Sequence, residues 1–175
     1  MDALFKQLTT EQESPQNLVD AYLFAKRTLA EAMQELLRSQ LPASTADTFS
    51  ELRDQLGRLI SQRYADAIPE KYLKVPYGSR THEELFSVLL QRRGEPVEAS
   101  VLRIITADSV HTERRMRELR ELGLDIQAAK AQGVDVYTLR SLELDPGMIP
   151  SIVRNLIRQD KRLSKPAQDE LISLL

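Results

Sequence analysis

Apolar residues recur along the first third of the chain at intervals that alternate between four and three. Leu18, Tyr22, Ala25, Leu29, Ala32 and Leu36 follow Ser14 and Pro15, an N-cap residue and a first-turn proline, and Pro42 stops the run. This spacing is a heptad seam rather than only a helical face. A second start lies in "PASTADTFSEL", where several small polar residues can cap a helix. Phe49, Leu52, Leu56 and Leu59 repeat the three-four spacing, Ile60 widens the stripe, and the helix is predicted to end near Ala67, before Pro69. Two amphipathic helices joined by a short loop predict a helical hairpin within residues 1–75. Such a pair leaves apolar surface wet and needs a third partner. That partner is the rest of the chain, or a second copy that makes a homodimer through residues 14–67.

Beyond "KVPYGSR", Lys74 to Arg80, the pattern changes. "THEELFSVLLQRRG" predicts a helix with Thr81 as N-cap, Glu84 at the capping-box position and Gly94 at its end. A short helix with Leu102, Ile104 and Ile105 apolar follows. "DSV" is a polar break at which Asp108 or Ser109 can cap the next helix. The run from His111 to Leu122 is helical and Gly123 ends it. "LDIQAAKAQG" and "VDVYTLRSLEL" then alternate well enough for two strands around a glycine-containing turn, although "QAAKAQ" also suits a helix. "DPG" breaks the chain at Asp145 to Gly147. Two helices close it, one over about Pro150 to Gln159, the other in "LSKPAQDELISLL", with Ser164 or Lys165 before Pro166.

Composition narrows the chemistry. The 175 residues carry 24 Lys and Arg against 26 Asp and Glu, a net charge of −2, so this is no basic tail. The absence of cysteine excludes disulfides, thiolate metal sites and cysteine catalysis. No apolar run approaches a membrane span, and the start of the chain lacks a basic region followed by an apolar one; a soluble, cytoplasmic protein without membrane attachment is expected. The two histidines, His82 and His111, lie in different elements. Neither has partners at metal-ligand or triad spacing, and His82 is expected at the surface. The six glycines are scattered, with no phosphate-binding loop. "LDIQAAK" is only faintly similar to a nuclease-core strand, with no preceding acid on a suitable strand. No catalytic site, no metal and no cofactor is expected.

One stretch stands apart. Val101 to Ile126, "VLRIITADSVHTERRMRELRELGLDI", resembles the second and third helices of bacterial winged helix-turn-helix domains: a short helix, a polar turn, then a helix with Arg114 and Arg115, Leu119, and Gly123 leading to Ile126. Val136 to Leu139 is similar to the second wing strand. The resemblance covers roughly a third of the chain. It implies a winged helix-turn-helix at 76–147; with the hairpin at 1–75 and basic helices at 148–175 read from the pattern, the expected fold is mainly α with a small β wing. It also implies double-stranded DNA binding, as in transcription regulators. Such domains occur as well beside the nuclease domains of restriction-type endonucleases, including HNH enzymes, and winged helices also serve as protein–protein adaptors.

Helical spacing agrees with that implication. Met116 and Leu119 define a narrow buried stripe, which leaves His111, Thr112, Arg115 and Glu118 largely on the other side and Arg114 flanking. A helix-turn-helix presents the N-terminal part of this helix to base edges, where arginine is the bidentate partner of guanine. The expected DNA-binding set is therefore Ser109, His111, Thr112, Arg114, Arg115 and Glu118 on or before the helix, with Lys130 at the turn and Arg140 on the second strand. Arg154, Arg158, Lys161 and Arg162, in the most basic window of the chain, are expected to hold phosphates beside the wing. Against this, Glu113 with Arg117 and Arg117 with Glu121 are spaced i,i+4, as on many solvated helices that bind nothing.

Overall fold

The computed structural model describes residues 14–108 and 111–175. As expected, the protein is mainly helical with a small antiparallel sheet. Helix α1, Pro15–Ser39, starts at Ser14, whose hydroxyl accepts from the Asn17 amide. Helix α2, Ser44–Tyr64, starts without a side-chain cap, because its N-cap residue is Ala43, which has no side-chain acceptor; the Thr45 hydroxyl donates back to the Pro42 carbonyl. A 3-10 turn at Glu70–Tyr72 leads to α3, Arg80–Gln91.

The two consecutive helices do not share one seam. The predicted face of α2 is the one that packs, with Phe49, Leu56 and Ile60 buried, and its neighbours are α3 and the later helix α6, Ile149–Gln159. Helix α1 instead lies along α4, Ala99–Ile105, and buries no residue fully. Its Gln34 amide donates to the Ile105 carbonyl at 2.7 Å, and its Arg38 bonds Glu84 of α3. Glu84 is therefore not a capping-box residue. It is almost buried, holds Arg38 and Arg80, and Ser79 rather than Thr81 is the N-cap of α3.

Between α3 and α4 the chain makes a strand that periodicity does not reveal, β1, Val97–Glu98. Helix α5, Thr112–Glu121, is followed by β2, Asp125–Ala131, and β3, Val134–Ser141, in the sheet order β1-β3-β2. Ala131 faces Val134 across a two-residue turn, with Gln132 at φ 51° and Gly133 at φ 84°. Two left-handed residues are what a twisted hairpin turn of this length demands. On β2 only Ile126 is buried, so the far part of the hairpin projects into solvent. A single apolar core runs from Phe49 through the sheet to Ile157, joining the first, middle and last segments of the chain. Ser164 caps the last helix, α7, Lys165–Ile172. No helix among the described residues is long and apolar enough to cross a membrane.

Candidate nucleic-acid interface

Helix α5 is set by its buried stripe, as its sequence predicts. Met116 and Leu119 have no exposed surface, and Gly123, at φ 89°, turns the chain out of the helix into β2. His111 sits at the N-cap and is exposed; Arg114 and Arg117 are exposed and Arg115 half-exposed. Glu113 at this end of α5 raises the pKa of Arg103 on α4, and burial, with Glu113, raises that of Tyr137 on β3.

Two of the expected base readers are inside the protein. Thr112 is buried and its hydroxyl shares a 3.0 Å hydrogen bond with that of Thr106 at the end of α4. Glu118 is buried as well. It follows Met116 by only two residues, but the groove between α3 and α5 supplies enough donors to hold a carboxylate there. His82, expected at the surface, is 2% exposed and lies 2.9 Å from Glu118 through Nε2. The other ring nitrogen, Nδ1, is 2.7 Å from the Ser79 hydroxyl. A carboxylate only accepts, so His82 donates from Nε2, and in the neutral ring Nδ1 is then left to accept from Ser79. That is the neutral tautomer, in keeping with a pKa pushed down mainly by burial.

Glu118 also receives Arg114 Nε at 3.0 Å and an Arg115 terminal nitrogen at 2.8 Å. Burial disfavours its charge, yet bonds from Arg115, His82 and Arg114 together hold its pKa below the ordinary carboxylate value. Among the described residues no buried side-chain nitrogen or oxygen lacks a partner. Glu118 thus reads no base; it orients two arginines from beneath.

The remaining cations fall into two groups. On the hairpin, Lys130 lies within β2 rather than at the turn and pairs with Asp135 at 3.9 Å, while Arg140 of β3 pairs with Asp125 at 3.8 Å. Glu113 bonds Arg103 of α4 instead of Arg117, which pairs with Glu121 at 3.9 Å. The basic window is different. No ion pair among the described residues involves Arg154, Arg158, Lys161, Arg162 or Lys165. Its one acid, Asp160, is drawn away by Lys71 and Tyr72, each at 2.8 Å, which depress its pKa strongly. Asn155 and Leu156 of α6 line a small pocket together with Glu121, the last residue of α5. Ser109 lies outside the described residues. No group of three or more potential metal ligands occurs among the described residues.

No protein-family model, curated protein or solved structure matches the chain.

Proposed function

We propose that this chain binds double-stranded DNA as a winged helix-turn-helix module of a transcription regulator, working in the cytoplasm without a catalytic step of its own. Helix α5 would enter the major groove and the β2–β3 hairpin would serve as the wing. The element order supports the reading: helix, strand, two helices, then a hairpin whose second strand also pairs with the first strand. One observation carries it. Glu118 engages only one nitrogen of each arginine, so Arg114 and Arg115 keep their other donors free on the exposed side of α5. Arginines held from below by a buried acid are preorganised for bidentate contacts. His111 at the start of the helix, and Lys130 and Arg140 on the hairpin, would contact the flanking backbone. A second copy would supply a second half-site.

Binding to random and site-selected duplexes across a salt series tests this. Affinity should fall steeply with salt, because phosphate contacts release counterions. Arg115→Ala should weaken the selected site by about 1–3 kcal/mol and random duplex far less. Flat or undetectable binding at low salt would leave the adaptor reading, which the ion pairing of Lys130, Arg140 and Arg117 favours.

A further inference from the structure

Seven of the nine large apolar side chains that stand exposed among the described residues lie on one element, α1. Five of them, Val19, Tyr22, Leu29, Met33 and Leu36, are 37–56% exposed and fall on one face. With Lys26 between Tyr22 and Leu29 they step along the helix by three, four, three, four and three residues, a seam that shares Tyr22, Leu29 and Leu36 with the predicted one but has Val19, Lys26 and Met33 in place of Leu18, Ala25 and Ala32. The helix is 25 residues long, and this stripe spans roughly 26 Å of it. Helix α2 cannot cover the stripe, since its own apolar face is committed to α3 and α6. The contacts of α1 with α4 use Gln34 and its neighbours and leave Leu29 and Met33 on the edge of an open groove of about 440 Å³, lined also by Ile104.

We infer that a second copy of this chain docks on α1, stripe to stripe, so that two α1 helices form the dimer contact. The area suits it. The stripe, with Leu23 beside it at 54% exposure, presents several hundred Å² of apolar surface, on the scale of the ~800 Å² that each partner gives a stable interface. The pattern suits it too, since alternation by three and four is what knobs-into-holes packing of two helices requires.

Charge argues for a copy of itself rather than a foreign helix. The positions flanking the seam are Leu18, Leu23, Ala25, Ala30, Ala32 and Leu37, none charged. Nothing there repels an identical helix, and nothing there selects a different one. Lys26, the one cation in the seam, is already matched by Asp108 of its own chain at 2.7 Å. The first half of α1 gives the physical motive. Val19, Tyr22 and Leu23 are each half exposed or more on or beside this stripe, and apolar surface of that extent is stabilised when it is covered.

Sedimentation velocity of the full chain, without DNA, over a micromolar concentration series tests the inference. The wild type should sediment as a dimer, and Tyr22→Glu with Leu29→Glu should reduce it to a monomer of unchanged helical content. A wild type that stays monomeric throughout, or a double variant that stays dimeric, overturns it. The chain has no cysteine, so a single introduced thiol gives a second measure that does not depend on the glutamate variant folding. Leu29→Cys should oxidise to a cross-linked dimer at least tenfold faster than Gln62→Cys, an exposed site on α2; equal rates overturn the inference. Both measurements stand whether or not the chain binds DNA, although the dimer's use in presenting two half-sites rests on that proposal.

Discussion

Nε2 of His82 and Oε2 of Glu118 meet 2.9 Å apart, 36 residues apart in sequence, with both side chains almost wholly buried. The pair ties the first turn of α3 to the middle of α5. Through Glu118 it continues to Arg114 and Arg115 at the surface. A charged residue is stable in such a place only when its bonds replace those it made to water, and three donors do so here.

Glu118→Gln keeps an accepting oxygen but removes the charge, so two charge-assisted bonds weaken and one amide group faces donors. Stability should fall by about 1–3 kcal/mol in urea denaturation. With the arginines released, affinity for a selected DNA site should drop more than affinity for random duplex. Unchanged stability would mean that the buried carboxylate holds nothing in place.

Burial, the largest influence on His82, sets its pKa below the ordinary 6.5, against the upward pull of Glu118 and with a further push down from Arg115 and Arg53. The unfolded chain therefore takes up a proton near pH 6.5 that the folded protein refuses. Stability tied to the neutral ring is complete above that value and is lost as pH falls toward the folded pKa. Glu118, depressed from 4.5, adds a loss in the same direction at lower pH. The melting temperature should decline between about pH 7 and pH 5. His82→Gln, which keeps a donor for Glu118 but does not titrate, should flatten that decline. Parallel curves for the two proteins would exclude His82 as its source.

Gly123 joins α5 to β2 at φ 89°, and a Cβ there would meet the backbone oxygen and nitrogen of Asp145 at 2.9 and 3.1 Å. Gly94 has nearly the same φ, 85°, with nothing within 4 Å. Gly94→Ala should cost about 1 kcal/mol for conformation alone, and Gly123→Ala about 3 kcal/mol or more, since a backbone hydrogen bond between Gly123 and Asp145 must also give way. Equal losses in thermal or urea unfolding would show that the close approach is relieved without penalty.

Arg158 and Lys161 are exposed, and neither makes an ion pair among the described residues. If DNA reaches them, replacing both by Gln should reduce the slope of log affinity against log salt by about 2. An unchanged slope would put the basic window off the DNA path and leave α5 and the hairpin as the whole interface.

Much of the fold was legible along the chain because local causes set it. Ser14 and Ser164 cap the helices they precede, Met116 and Leu119 go inside at the spacing a helix imposes, and Gly123 ends α5. The two-residue turn settled "QAAKAQ": its alanines favour a helix, but Gln132 and Gly133 fold that segment back onto β3, where it pairs residue by residue. Strand β1 was not legible, since two residues carry no period and exist as a strand only by pairing with Tyr137 and Val136.

What the sequence alone determined, then, is the order of the helices and of the hairpin and which face of each helix is apolar. Which faces are covered was decided by tertiary structure. The same three-four spacing marks α1 and α2, yet α2 is enclosed by α3 and α6 while the stripe on α1 stays open. Likewise Glu118 and Thr112 lie on the polar side of α5 by periodicity and inside the protein in fact. The reason is that burial of a polar group depends on partners brought from elsewhere, His82 and Thr106 here, and periodicity within one helix contains no record of them.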